Sequence, residues 1–184
     1  MVYSPAEDSI FFADFLKKYF SKLSKKQKQN ISYLDMGTGS GILAEIAIKS
    51  GISKENIIAV DTDKEAVEFV KTKNLGIKVI HSNFFSKLKS KEKPHFDIIT
   101  FNAPYLPDNK YDNQKDTSGG KFGDESSIKF IKQAKAHLTK QGKIFLLISS
   151  LTPMNKINKF NPKIVAKTHL FFEDLLILEI KQIL

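Results

Sequence analysis

Short apolar runs of β type alternate with amphipathic helical segments along most of this chain, and that alternation admits few folds. "ISYLDM", "NIIAV", "IKVI", "FDIITF" and "GKIFLLIS" read as five strands. Gly41 to Ser50, Lys64 to Asn74 and Ser126 to Leu138 read as helices between them, the first with Ile42, Leu43, Ile46 and Ala47 at helical spacing. A further helix opens at Ser4-Pro5-Ala6-Glu7, with serine as N-cap and proline at the first helical position. Its apolar face is Ile10, Phe11, Phe15, Leu16, Tyr19, Phe20 and Leu23, and the polar run Ser24 to Asn30 ends it. Residues 106–121 are polar and aperiodic, hence a loop. The tail "KIVAKTHLFFEDLLILEI" reads as two strands joined by a tight turn. Alternating β and α units call for a parallel sheet covered on both faces. A terminal hairpin adds an antiparallel edge.

The chain has 184 residues, 41% hydrophobic and 27% charged, which suits one globular domain. It has no cysteine, and its four histidines (His81, His95, His137, His169) are scattered, so no metal site is expected. "MVYSPAED" lacks a basic region followed by an apolar run, and "IFLLI" is too short to span a membrane. The expectation is a soluble cytoplasmic protein. Net charge is +9, and all 29 basic residues are lysine. Arginine is the usual choice for bidentate phosphate and base contacts. A lysine-biased solvated surface is therefore favoured over a dedicated nucleic-acid patch.

Two segments carry chemistry. The first, "LDMGTGSGI", joins the first strand to the next helix. Gly37, Gly39 and Gly41 let the backbone turn sharply and approach a ligand. This is the ligand-binding end of an open parallel sheet. The pattern is G-x-G-x-G, with Asp35 two residues before it. An acid there would repel a pyrophosphate and suits a cationic group, such as the amino end of methionine. Asp61 closes the second strand and can accept from both hydroxyls of a ribose.

The second segment is "FNAPYLP", which leaves the fourth strand on an amide, a rigid turn and an aromatic ring. An amide or exocyclic amine is a poor nucleophile, because its lone pair is delocalised. The side-chain carbonyl of Asn102 can accept one of its N–H groups and the backbone carbonyl of Ala103 the other. Pro104 restricts Ala103 to extended backbone, which aims that carbonyl. Tyr105 can stack on the planar group and exclude water. Acceptors placed in advance stabilise the positive charge that grows on nitrogen during transfer. The bland alternative is a simple turn after a strand.

The glycine loop with Asp35 and Asp61 resembles the class I S-adenosylmethionine-dependent methyltransferases. That resemblance implies an α/β Rossmann-like fold with a seven-stranded mixed sheet in order 3-2-1-4-5-7-6. It implies that S-adenosyl-L-methionine is the cofactor, with Asp35, Gly37, Thr38, Gly39 and Gly41 around the methionine part and Asp61 on the ribose. After the third strand the family often has aspartate against adenine. Here Asn83 and Phe84 occupy that place, and Asn83 can still accept. "NAPY" resembles the N-P-P-Y motif of enzymes that methylate planar nitrogens, with Ala103 in place of the first proline, and Asn102 also borders the cofactor.

"VYSPAEDS" resembles the "YxPAEDT" opening of HemK-like protein glutamine methyltransferases of the short archaeal and eukaryotic branch. That carries Asp8 and Ser9 over as cofactor neighbours, with residues 1–30 as cap helix and lid and residues 31–184 as catalytic core. Gly119-Gly120 fits either the family's glycine-rich segment or a flexible loop. The implied substrate is the glutamine of the Gly-Gly-Gln loop of a class I peptide chain release factor. The implied partner is a small zinc-binding activator protein that extends the sheet at "IKVI". One alternative is adenine N6 or guanine N2 methylation of RNA or DNA. Another is a nucleotide-binding module without transfer, or a small dehydrogenase.

Overall fold

The computed structural model describes residues 7–88, 95–104, 123–170 and 172–182. Five helices and seven strands follow one another: α1 (Glu7–Ser21), α2 (Lys25–Asn30), β1 (Tyr33–Met36), α3 (Ile42–Lys49), β2 (Ile57–Asp61), α4 (Lys64–Thr72), β3 (Lys78–His81), β4 (Phe96–Asn102), α5 (Glu125–Lys135), β5 (Leu138–Ser149), β6 (Lys163–Leu170) and β7 (Glu173–Lys181). The strands form one sheet in the order β3-β2-β1-β4-β5-β7-β6. The first five are parallel, and the β6–β7 hairpin joins β5 antiparallel. This is the seven-stranded mixed sheet that the sequence implies.

Strand periodicity divides the core into two layers. Along β5, Ile144, Leu146 and Ile148 face the layer that holds Phe101, Phe130 and Ile131, under α5. Phe145 and Leu147 face the other, under α1 and α3. On that side Phe15 and Tyr19 meet the Phe145 ring edge-on, at centroid distances of 5.0 and 4.9 Å. The core face of α1 is Phe12, Leu16 and Phe20, spaced four residues apart and fully buried. Each contributes about 1.5–3 kcal/mol relative to exposure. Ile10, read from the sequence as part of that face, is half exposed.

Two further readings need correction. The run Ser24 to Asn30 does not simply end α1; its last six residues form α2. Ser24 Oγ accepts from Gln27 N while the Gln27 side chain accepts from Ser24 N, a closed capping box. Leu138 belongs to β5, not to α5. β5 meets β4 first at Leu138–Phe96 and resumes at Lys143–Ile98, with an irregularity between. Gly142 sits in that bend. A Cβ there would lie 2.7 Å from Phe96 O and 3.0 Å from the backbone of Thr139. Backbone cannot yield as a side-chain tip does, so Gly142→Ala is expected to destabilise the fold by ~1–3 kcal/mol. An unchanged urea midpoint would contradict that packing.

Candidate active site

β2, β1 and β4 all end at one edge of the sheet, and the segments that follow them enclose a cavity of about 450 Å³. That volume suits a small-molecule ligand. Its lining includes Asp8, Ser9, Gly37, Thr38, Gly39, Asp61, Asn83, Phe84, Asn102, Ala103 and Pro104. Residues far apart in the chain thus share one site. Tyr105 and Gly119-Gly120 lie outside the described residues, as do Ser4 to Ala6.

The glycine loop has left-handed backbone where it turns. Gly37 has φ of 63°, and a Cβ on it would come within 3.0 Å of the Phe101 ring. Gly41, at φ of 82°, starts α3 against Val70, which a Cβ would meet at 3.1 Å. Gly41 does not line the cavity; its role is the close packing of α3 on α4. Gly39 does line it, and a Cβ there would find no protein atom nearer than 4.0 Å. The open space beside that backbone fits a ligand approaching the loop.

Asp35 is also displaced from its expected place. It is fully buried and does not line the cavity. Its Oδ2 accepts from Thr38 Oγ1 at 2.7 Å and its Oδ1 from Thr100 Oγ1 at 3.3 Å. The Tyr33 hydroxyl is 2.7 Å from Thr100 Oγ1. The acid therefore ties the loop to β4 from below, and Thr38 stands between it and the ligand space. Burial pushes its carboxyl up to about 7, against the opposing effect of the threonine bonds, and the charge of Asp61 adds to the rise.

Asp61 does face the cavity. Its Oδ2 accepts from Gly39 N at 2.8 Å and its Oδ1 from Asp63 N at 2.9 Å. Burial raises its carboxyl above the ordinary value, while these backbone bonds hold it back. Both oxygens keep lone pairs for further donors. After β3 the chain turns through Asn83 to Phe84, which adopts a left-handed φ of 46°. Ser82 Oγ donates to Phe84 O at 2.9 Å and holds the turn. The Phe84 ring meets Phe101 edge-on at 5.8 Å, and Lys129 Nζ lies 5.3 Å from its centroid. A non-glycine residue in this region is costly and tends to mark functional sites.

Asn102 ends β4 with its amide polarised by its surroundings. Nδ2 donates to Asp8 Oδ2 at 3.0 Å and to Ser9 Oγ at 3.3 Å. Oδ1 is buried and has no hydrogen-bond partner among the described residues. Sequence reasoning missed some of the wall: Ser126 and Lys129 of α5, and Thr62 and Asp63 after β2. Nothing in their local sequence announces them; only the sheet order brings α5 over the cavity.

The description "Methyltransferase small domain" matches residues 15–171. A Methanocaldococcus jannaschii protein, provisionally named a protein N5-glutamine methyltransferase, is 34% identical over 96% of this chain and 90% of its own length. A release factor glutamine methyltransferase of Buchnera aphidicola is 39% identical, over 46% of this chain and 30% of its own length. A crystal structure of a methyltransferase from Pyrococcus furiosus shares the fold at a TM-score of 0.65 and 21% identity, covering 98% of this chain and 88% of that one.

Proposed function

We propose, from a chain that belongs to the methyltransferase small-domain family, that it methylates the side-chain nitrogen of a glutamine in a class I peptide chain release factor, with S-adenosyl-L-methionine as donor. When bound, that donor supplies an electrophilic methyl group. The residues present fit it. The glycine loop leaves room beside Gly39, and Asp61 offers carboxylate oxygens toward a ribose. Asn83 and Phe84 line the cavity and would border the adenine.

One observation carries the reading: the buried Oδ1 of Asn102 at the cavity wall, which has no hydrogen-bond partner among the described residues. A buried acceptor left unmade costs ~1–3 kcal/mol. An incoming amide N–H would satisfy it. Asn102 Oδ1 and the Ala103 carbonyl then hold both N–H groups of the glutamine amide in place, as Pro104 sets the Ala103 backbone. The same two acceptors stabilise the charge that builds on nitrogen. A glutamine of a Gly-Gly-Gln loop, flanked by residues without bulk, could reach such a recessed site.

Relatives named release factor glutamine methyltransferase support the release factor as substrate. A small zinc-binding activator pairing with β3 belongs to the same reading, because among the described residues β3 ends the sheet and its backbone edge faces no neighbouring strand. The enzyme then acts as one domain in the cytoplasm, α1 capping the cavity. Among the described residues no helix is long and apolar enough to cross a membrane.

The test is label transfer from S-adenosylmethionine, offering the release factor and total RNA in parallel. Label on the release factor supports the reading. Label on RNA alone replaces it with a nucleobase methyltransferase, the alternative that the +9 charge favours. Asp61→Ala should weaken S-adenosylmethionine binding by ~1–3 kcal/mol by calorimetry. An unchanged dissociation constant would remove Asp61 from the cofactor site.

A further inference from the structure

An amide side chain has two ends of nearly equal shape and opposite chemistry. Turned one way, Asn102 offers an acceptor to the cavity; turned the other way, it offers two donors. A substrate amide nitrogen brings only N–H groups, so the second orientation would repel it. The orientation is therefore part of the site, and something must set it.

The first turn of α1 holds what sets it. Asp8 and Ser9 are 92% and 95% shielded from solvent, and both reach the nitrogen end of Asn102 across more than ninety residues of sequence. A carboxylate can only accept. It fixes Nδ2 on its own side and leaves Oδ1 on the other. The carboxylate is itself held: Asp8 Oδ1 accepts from Ser9 N at 2.5 Å, and it sits in the first turn of a helix, where negative charge is favoured.

We infer that Asp8, assisted by Ser9, is a positioning residue for the acceptor amide: it pins Asn102 Nδ2 so that Oδ1 stays aimed at the substrate's N–H. Its action runs through Asn102 rather than through direct contact with the cofactor, the role that the sequence resemblance implies. The inference rests on the proposed function, because it needs Asn102 to receive a substrate N–H. It also gives α1 a part in the transfer step itself. Loosening its first turn would free the amide to flip.

The test uses the full chain, labelled S-adenosylmethionine and a class I release factor. Asp8→Asn keeps the shape but can pair with either end of Asn102. It should lower kcat by about 10–100-fold. The dissociation constant of S-adenosylmethionine should change by less than about twofold, since the variant leaves Asp61 and the loop intact. Ser9→Ala removes only the longer contact and should lower kcat by a smaller factor. On an Asn102→Ala background, Asp8→Asn should cause no further loss, because its route of action is gone.

A weakened cofactor with kcat intact at saturation would make Asp8 a cofactor ligand and overturn the inference. So would a further loss in the double variant, or a larger effect from Ser9→Ala than from Asp8→Asn. Normal turnover in Asp8→Asn beside a silent Asn102→Ala would remove this inference alone. Normal turnover in Asn102→Ala would remove the proposed function and this inference with it.

Discussion

Replacing Asn102 by alanine lowers methyl transfer by at least about 10²–10³-fold, the loss expected when a preorganised acceptor in a shielded site is removed. The loss falls on kcat. Alanine at this position leaves the glycine loop and Asp61 untouched, so the affinity for S-adenosylmethionine stays within a few-fold. The same change removes one donor from Asp8 and from Ser9, which otherwise receive the Nδ2 protons. Some loss of melting temperature is expected from a buried carboxylate deprived of a donor. Single-turnover kinetics at saturating cofactor separate these effects. Near-normal single-turnover rates would show that the carbonyl of Asn102 takes no part in transfer.

Raising the pH from 5 to about 7 removes stability that Asp35 contributes. Its carboxyl, pushed up to about 7 by burial, keeps its proton in the folded chain where the unfolded chain has lost it. Between the ordinary carboxylate value near ~4 and about 7, the folded state therefore binds more protons. Stability must drop with rising pH across that window and level off above it. Asp61, also raised by burial, acts with the same sign. The Asp35→Asn variant loses the Asp35 part of this dependence. Urea unfolding at several pH values should give wild-type and variant curves that converge or cross by a few kcal/mol between pH 5 and 8. Parallel curves would show that Asp35 is ionised throughout.

Much of the architecture was legible in the sequence because it rests on periodicity. Largely apolar strands alternate with amphipathic helices, and β5 sends Ile144 and Phe145 to opposite layers as a two-residue repeat requires. The glycine loop, Asp61, Asn83 and Asn102 were legible as a site because parallel sheets bind at the ends of their strands. Side-chain direction was not. The spacing of Asp35 before the glycines suits a ligand contact, yet Thr38 and Thr100 claim both its oxygens beneath the loop. α2 escaped notice because its residues are polar throughout, although Ser24 and Gln27 carry the capping signature. Ile10 and Phe11 are apolar too, so spacing alone does not single out the Phe12 face of α1. The link from Asp8 to Asn102 joins positions 94 residues apart through folding alone.

The measurement that bears most directly on the account is the position of the methyl group after reaction of the purified chain with a release factor and S-adenosylmethionine. Fragmentation mass spectrometry of the modified peptide reads it. The account predicts one added methyl on the side-chain nitrogen of the Gly-Gly-Gln glutamine, absent when that glutamine is replaced and absent with Asn102→Ala. A methyl on any other residue, or on RNA while the release factor stays unmodified, would contradict it.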